Sequence, residues 1–208
     1  MANLKHAIKQ GIVALKAKNI QPVMQTVGDE CLLKGKTALV VGGSGGIGKA
    51  VAKAFLKNGA NVVIAGTRRA KVDKVVLELG EKCAGVVVDL AEPETFSKVI
   101  DEAVAFYGPI DILVNSAGVH TEDVSMGGFL DFSVEEYDRI LDINLRGVYF
   151  MVQSVAKHMI SDKVSNGHIL IVSSSAGNEP AWSPYRVSKW GLKGITEGMA
   201  SAWFLMAL

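Results

Sequence analysis

The sequence predicts an α/β protein with a doubly wound parallel sheet and helices on both faces of that sheet. From Lys36 onward, short apolar runs rich in β-branched residues alternate with longer stretches of helical spacing. These runs are apolar throughout, which is typical of parallel strands that are buried on both faces. A cluster of glycines separates the first run from the first helical stretch, as expected for a strand–turn–helix unit.

The composition is that of an ordinary globular domain. The 208 residues, 49% of them hydrophobic, are enough for one sizeable core. A net charge of +1 argues against a nucleic-acid partner and against an anionic membrane surface. No apolar run could span a bilayer and the first residues lack a secretory signal, so the expected location is cytoplasmic. Cys31 and Cys83 lack metal-ligand spacing and are predicted to be free thiols, and no metal site is predicted.

The predicted domain occupies residues 35–208, and residues 1–34 form an extension before its first strand. Apolar residues in this extension recur at helical spacing from Leu4 to Leu15, with most lysines between them. They predict an amphipathic helix that ends near Asn19 and packs on the domain or on a partner subunit. The lysines are also a weak feature of transit peptides, but arginine and serine are absent from this stretch.

Each element of the domain follows from its residues and its boundary signals. The predicted strands are Thr37–Val41, Asn61–Gly66, Ala84–Val88, Asp111–Asn115 and His168–Val172. The predicted helices follow Gly48, cover Ala70–Leu79, run from Pro93 to Tyr107, extend from Ser133 to Ile160, and follow Pro184. Glycine ends three of these helices, proline stands at two starts, and Ser133 with Glu136 forms a capping box.

The glycine cluster has the spacing of a phosphate-binding turn. We expect Gly42 to permit a tight turn, Gly46 to let the backbone approach a pyrophosphate, and Gly48 to let the helix pack closely. A flexible loop is the alternative, but a buried strand on one side and a helix on the other favour a dinucleotide site.

A second pattern lies near the end of the chain. Tyr185 and Lys189 are four positions apart on a predicted helix and therefore share a face. An ammonium beside a phenol stabilises the phenolate, which suits the phenol to proton transfer. The strand that ends in Ser173–Ser175 comes just before them. Because parallel strands end at one edge of the sheet, the glycine turn, Asn115 and these residues should converge there.

Taken together, these motifs resemble the short-chain dehydrogenase/reductase family, whose single-domain members have a Rossmann-type fold. The resemblance runs from about Leu33 to about Glu197. The motifs that carry it are Gly42-x-x-x-Gly46-Ile47-Gly48, Asp89, Asn115-Ser-Ala-Gly118, Asn144, Ser173–Ser175 and Tyr185-x-x-x-Lys189.

The resemblance implies an oxidoreductase that transfers a hydride between a nicotinamide cofactor and a carbonyl or secondary alcohol. Tyr185 would be the acid/base, Lys189 would assist it and bind the ribose, Ser174 would bind the substrate oxygen, and Asn144 would hold a water in the proton relay. The expected cofactor-binding residues are Gly42, Ser44, Gly46, Ile47, Gly48, Thr67, Arg68, Arg69, Asp89, Leu90, Asn115, Ala117, Gly118, Tyr185 and Lys189. A complete chain would form a homo-oligomer, a dimer or tetramer.

The end of the second strand bears on the choice of cofactor. An acidic residue there would bind the adenine ribose hydroxyls and repel a 2′-phosphate. This chain has Thr67, Arg68 and Arg69 instead, and guanidinium groups suit a phosphate. NADP(H) is therefore favoured over NAD(H). The alternative is that both arginines are simply solvated residues at a helix start.

Two departures from the family pattern affect these expectations. The interval from Ser174 to Tyr185 is a couple of residues short, which leaves Ser173 and Ser175 as alternatives to Ser174. After Glu197 the chain is nearly all apolar and stops where a sixth strand is expected. We therefore expect a truncated chain that lacks the last strands.

Truncation leaves two functions open. The chain is either an active NADP-dependent oxidoreductase or an inactive relative that at most binds dinucleotide. A silent nucleotide-binding regulator has no positive support. His120 lies in a predicted surface loop near the site with no catalytic role, and His158 and His168 are predicted to be packing or surface residues.

Overall fold

A computed structural model describes residues 32–121 and 129–206. The strands are β1 (Thr37–Val41), β2 (Asn61–Gly66), β3 (Cys83–Val87), β4 (Ile112–Asn115) and β5 (His168–Ile171). The helices are α1 (Gly46–Lys57), α2 (Arg69–Leu79), α3 (Phe96–Tyr107), α4 (Val134–Leu141), α5 (Val148–Ser161) and α6 (Pro184–Met206). Short 3₁₀ turns cover Pro93–Thr95 and Ser175–Asn178.

All five strands are parallel and lie in the order β3-β2-β1-β4-β5. The chain builds outward from β1 in one direction through β3, and then returns to build from β4 in the other. The order therefore reverses between β1 and β4, and ligands of such sheets bind outside the strand ends at this reversal. The register places Val41 of β1 beside Asn115 of β4. The predicted Rossmann-type fold is confirmed.

Helices cover both faces of the sheet. On one face, α3, α5 and α6 pack against the strands through residues such as Phe96, Met151 and Leu192. On the other face, α1 and α2 contribute Ala52, Val72 and Val75 to a second core cluster. The central strands are therefore shielded from water on both sides, which explains why their sequences are continuously apolar.

The predicted strands are confirmed with ends that shift by no more than one residue. The single helix predicted from Ser133 to Ile160 is wrong in one respect, because a π-helical turn, Asp142–Gly147, separates α4 from α5. The hydrophobic spacing of the sequence continues through this turn, so it gave no sign of the interruption. The N-cap half of the predicted capping box is confirmed, since the Glu136 amide donates to the Ser133 hydroxyl over 3.1 Å.

Several other expectations can be compared with the described residues. Cys83 is a free, buried thiol, whereas Cys31 and the helix predicted from Leu4 to Asn19 lie outside them. His158 accepts a hydrogen bond from the Ile110 amide through Nε2, a packing role. Within the described ranges no helix is long and apolar enough to cross a membrane, and no group of histidine, cysteine and acidic side chains could hold a metal ion.

Candidate active site

The glycine turn after β1 is held by close backbone contacts. Gly42 has a φ of +79°, and a Cβ placed on it would lie 2.6 Å from the Ala117 amide nitrogen. A Cβ on Gly48 would lie 2.4 Å from the Gly42 carbonyl oxygen and 2.6 Å from the Ser116 hydroxyl. These contacts agree with the roles predicted for Gly42 and Gly48. The turn and the start of α1 are thus pressed against the chain that leaves β4.

The first turn of α1 leaves donors available to an anion. The helix begins at Gly46, and neither a capping side chain nor an acidic residue occupies its first turn. A Cβ on Gly46 would meet no atom within 4 Å, so the surface of the turn is open there. The Ile47 side chain is also exposed. The missing side chain of Gly66 makes room for the Ser44 hydroxyl, which would lie 2.8 Å from a Cβ.

The two arginines after β2 differ in their contacts. The Arg69 guanidinium donates to the Gly85 carbonyl over 3.3 Å and lies 3.6 Å from Asp73 and 3.8 Å from Glu102. Arg68 is exposed and makes no ion pair with the described part of the chain. Arg68 is therefore the guanidinium available to a ligand phosphate, a distinction that the sequence did not predict.

Asn115 carries an unpaired buried group at the end of β4. The residue is 1% exposed, and its Oδ1 accepts from the Ala117 amide over 3.1 Å. Its Nδ2 has no hydrogen-bond partner among the described residues. A buried unpaired donor costs about 1–3 kcal/mol, so this position suits an acceptor atom of a ligand. The open glycine turn and this donor both fit a dinucleotide in the crevice.

Asp89 and Leu90 lie just after β3. One Asp89 oxygen, Oδ1, accepts from the Ala91 amide over 2.9 Å and stabilises the turn, while the residue as a whole is exposed. Leu90 is buried. Both therefore lie at the same sheet edge as the glycine turn, because β3 runs parallel to β1 and β2.

Tyr185 and Lys189 lie in the first two turns of α6. The Lys189 Nζ is 5.5 Å from the centre of the Tyr185 ring and donates to the Val172 carbonyl over 3.4 Å. Lys189 is 5% exposed, and burial lowers the pKa of its ammonium below the usual value. Gly118 approaches it closely, since a Cβ there would lie 3.5 Å from Nζ.

Asn144 is wholly buried in the π-helical turn. Its Oδ1 accepts from the Val119 amide over 2.7 Å, and its Nδ2 donates to the Val119 carbonyl over 2.8 Å. Nδ2 also lies 3.2 Å from the Ser188 hydroxyl. The side chain therefore joins the segment after β4 to α6, so a water relay would have to use other atoms of this residue.

The serines after β5 are distinguished by their hydrogen bonds. The Ser173 hydroxyl donates to the Lys189 carbonyl over 3.3 Å, which commits its proton. The Ser174 hydroxyl accepts from the Ala176 amide over 3.2 Å, which leaves its own proton free to donate. Ser175 is exposed and begins the 3₁₀ turn. This difference favours Ser174 as the donor to a substrate oxygen.

A cluster that the sequence did not single out holds the short loop before α6. Arg186 donates to the Glu179 carboxylate over 2.6 Å, and the Trp190 indole donates to the Glu179 carbonyl over 2.5 Å. The Arg186 guanidinium also lies 5.1 Å from the centre of the Trp182 ring. Arg186 and Trp190 are four positions apart, a spacing that could have indicated a shared partner. The cluster ties the loop residues Glu179 and Trp182 to the first turns of α6.

Two cavities among the described residues border α6. One of about 250 Å³ has mostly apolar walls, which are Phe129, Phe132, Tyr137, Ala181, Trp182, Ser183, Pro184 and Val187. A larger cavity of about 590 Å³ lies between α5, β5 and α6 and contains none of the predicted site residues. The smaller cavity is lined by Pro184 and Val187 of the first turn of α6, and these residues flank Tyr185 in the sequence.

Comparison with known proteins agrees with this arrangement. The family model described as short chain dehydrogenase matches residues 36–204. Oxidoreductase UcpA of Escherichia coli strain K12 is 36% identical over 174 residues, which cover 81% of this chain and 64% of that protein. Human dehydrogenase/reductase SDR family member 4 is 35% identical over 173 residues, which cover 81% of this chain and 60% of that protein.

A solved structure is similar as well. A short chain dehydrogenase/reductase family protein superposes with a TM-score of 0.70 at 30% identity, covering 82% of this chain and 69% of that one. The fold and the site together define a single-sheet α/β protein with a glycine turn and a Tyr–Lys pair at the strand ends. The chain belongs to the short-chain dehydrogenase/reductase family, and it spans a little under two thirds of the length of the curated relatives above.

Proposed function

We propose that this chain is an NADP(H)-dependent oxidoreductase that interconverts a carbonyl group and a secondary alcohol. The observation that carries the proposal is the arrangement around Tyr185, with Lys189 5.5 Å from the phenol ring and an uncommitted Ser174 hydroxyl proton upstream. Two relatives described as oxidoreductase or dehydrogenase/reductase support the same chemistry. A homo-oligomer and a cytoplasmic location remain predictions.

Each residue has a defined task in the proposed reduction. When bound, a nicotinamide cofactor supplies the hydride that reaches the carbonyl carbon. Tyr185 donates its phenolic proton to the carbonyl oxygen, so that the product is a neutral alcohol. Lys189 stabilises the phenolate left on Tyr185, and Ser174 donates a hydrogen bond to the same substrate oxygen. In the oxidative direction the same proton returns to Tyr185.

The cofactor would lie across the strand ends. The first turn of α1 would hold the pyrophosphate, with Gly46 at the point of closest approach. Asn115 has a buried donor to offer, and Asp89 lies on the adenine side of the crevice in this proposal. Arg68 would bind the 2′-phosphate that distinguishes NADPH from NADH.

The catalytic assignment is tested by replacing Tyr185 with phenylalanine. This change removes only the hydroxyl, so we expect the turnover number to fall by at least about 100-fold while NADPH affinity stays nearly constant. Turnover is measured by NADPH absorbance with a panel of ketones and aldehydes, and affinity by quenching of tryptophan fluorescence.

Tyr149→Phe is the matched control, because Tyr149 lies on α5 and lines the larger cavity, which contains neither Tyr185 nor Lys189. Full activity of Tyr185→Phe would refute the assignment. Saturable NADPH binding by the unmodified chain without turnover of any carbonyl would instead favour the second function, an inactive relative that binds dinucleotide.

The cofactor preference is tested by replacing each arginine separately. Arg68→Ala should weaken NADPH binding about tenfold and leave NADH binding within about twofold, because only NADPH carries the extra phosphate. Arg69→Ala should have the smaller effect on this ratio, since Arg69 already contacts Gly85, Asp73 and Glu102. Equal losses for NADPH and NADH in Arg68→Ala would contradict the preference.

A further inference from the structure

The His120 ring stacks on the ring of Tyr185. The two ring centres are 4.0 Å apart, and the planes are inclined by 33°. Among the described residues, His120 supplies the ring that packs against the phenol ring of Tyr185. An imidazole at this distance restricts the rotation of the phenol about its Cα–Cβ bond, because the ring cannot swing into the space that His120 occupies.

The backbone that carries His120 is held from two sides. Asn144 clamps the preceding residue, Val119, through both its amide and its carbonyl, at 2.7 and 2.8 Å. Arg139 of α4 donates to the His120 carbonyl over 3.3 Å. The position of the imidazole relative to α6 is therefore fixed by contacts with two other helical segments.

The imidazole itself is also oriented. Its Nδ1 lies 3.1 Å from the Thr121 carbonyl and 3.4 Å from the Thr121 hydroxyl. A carbonyl oxygen only accepts hydrogen bonds, so the contact is favourable when Nδ1 carries the proton. Thr121 is 5% exposed, so the accepting side of this bond is shielded from water, while the imidazole itself is exposed. The ring is thus held in one plane over the phenol.

Apart from the Lys189 ammonium, 5.5 Å from the ring centre, the Tyr185 phenol has no anchor of its own among the described residues. Its backbone carbonyl accepts from the Ser188 hydroxyl over 2.7 Å, but its phenolic oxygen makes no hydrogen bond with the described residues. The direction of the hydroxyl therefore depends on what packs against the ring, and His120 supplies a rigid contact on the ring face. A misplaced catalytic group loses rate even when it is chemically intact.

We propose that His120 is a positioning residue that holds the phenol of Tyr185 in the orientation required for proton transfer. The inference rests on the proposed function of Tyr185 and adds a residue to it. His120 acts through its ring face, so an aromatic side chain of similar size replaces it, whereas a small one does not.

The experiment compares His120→Ala with His120→Phe. Loss of an aromatic pair is worth up to about tenfold in rate, so His120→Ala should lower the turnover number by about 2- to 10-fold with little change in NADPH affinity. His120→Phe should restore most of the rate. His168→Ala is the matched control, since His168 is exposed on β5, and it should leave the rate unchanged. A wild-type rate in His120→Ala, or no rescue by His120→Phe, would overturn the inference.

A second measurement does not depend on turnover. In protein with ¹³C-labelled tyrosine rings, the Tyr185 resonances are identified among the four tyrosines by their loss in Tyr185→Phe. His120→Ala should shift them and average them over more than one Cα–Cβ rotamer of the phenol, while His168→Ala should not. If the wild-type chain reduces no carbonyl but these changes occur, the proposed function fails and the positioning contact stands. Unchanged Tyr185 resonances in His120→Ala would overturn the inference whatever the activity.

Discussion

Strands β1 and β5 occupy opposite situations in the same sheet. All five residues of β1 are buried, and the strand pairs with a neighbour on each side. In β5, His168 and Leu170 are exposed while Ile169 and Ile171 are half-buried, and among the described residues it pairs only with β4. The glycine turn follows β1, and the serines follow β5.

This contrast teaches that the two halves of the site are held by different means. At the end of β1, backbone atoms are so close that Gly42 and Gly48 admit no side chain. At the end of β5, the geometry depends on side-chain bonds such as those of Ser173, Ser174 and Arg186. We therefore expect substitutions at the first end to damage folding, and substitutions at the second end to damage chemistry more than stability.

The largest effect is expected from Gly42→Ala. The left-handed backbone of Gly42 costs an alanine about 1–2 kcal/mol, and the clash with Ala117 adds about 1–3 kcal/mol. The free energy of unfolding should fall by about 4 kcal/mol, measured by urea denaturation.

Gly35→Ala is the matched control for the clash. Gly35 has almost the same φ of +78°, but a Cβ there would meet no atom within 4 Å. In Gly35→Ala the free energy of unfolding should therefore fall only by the cost of the left-handed backbone conformation. Equal losses in the two variants would show that the close approach at Gly42 is unimportant.

The strands themselves are compared by truncating one leucine in each. Leu39 of β1 is fully buried, whereas Leu170 of β5 is 49% exposed. Leu39→Ala should lower the free energy of unfolding by about 3 kcal/mol, and Leu170→Ala by less than about 1 kcal/mol. Thermal and urea unfolding of both variants measure the difference. Similar losses would indicate that the Leu170 face is covered in solution and that β5 is not the weaker strand.

A smaller, pH-dependent effect is expected at Cys83, a buried residue that begins β3. Burial raises the pKa of its thiol from 9.0 to about 11. The unfolded chain then loses this proton at lower pH than the folded one. The contribution of Cys83 to stability is therefore complete below pH 9 and declines as the pH rises through 11, by about 2.7 kcal/mol at most.

The Cys83 effect is followed as a difference between two chains, because burial and, to a smaller extent, the charge of Cys83 also raise the pKa of Tyr107. The free energy of unfolding of the unmodified chain and of Cys83→Ala is measured as a function of pH. The difference between the two chains should stay constant below pH 9, and should shrink or change sign between pH 9 and 11. A constant separation over the whole range would contradict the water-excluded environment of this thiol.

Much of the fold was predictable because the signals are local. Continuous apolar runs indicate the buried strands, and glycines mark the ends of α1, α2 and α3. The capping pair of Ser133 and Glu136 is likewise a short-range pattern. Residues that follow strands could be assigned to one edge of the sheet, since parallel strands end together.

The features that could not be predicted involve partners distant in sequence. The π-helical turn places Asn144 against Val119, 25 positions earlier, and no spacing rule reports such a contact. Arg69 and Arg68 look alike in the sequence, but only Arg69 reaches Glu102 and Gly85. His120 is exposed, as predicted for a surface loop, but its stacking on Tyr185 joins two segments 65 positions apart and could not be predicted.

By itself, the sequence determined the succession of strands and helices along the chain, the glycine turn, and the identity of the Tyr–Lys pair. Each of these depends on residues within a few positions of one another. Only the tertiary structure decided which serine keeps a free proton, which arginine is available, and what holds the phenol in place. Those outcomes depend on hydrogen bonds and packing between distant segments, and their geometry exists only once the sheet has formed.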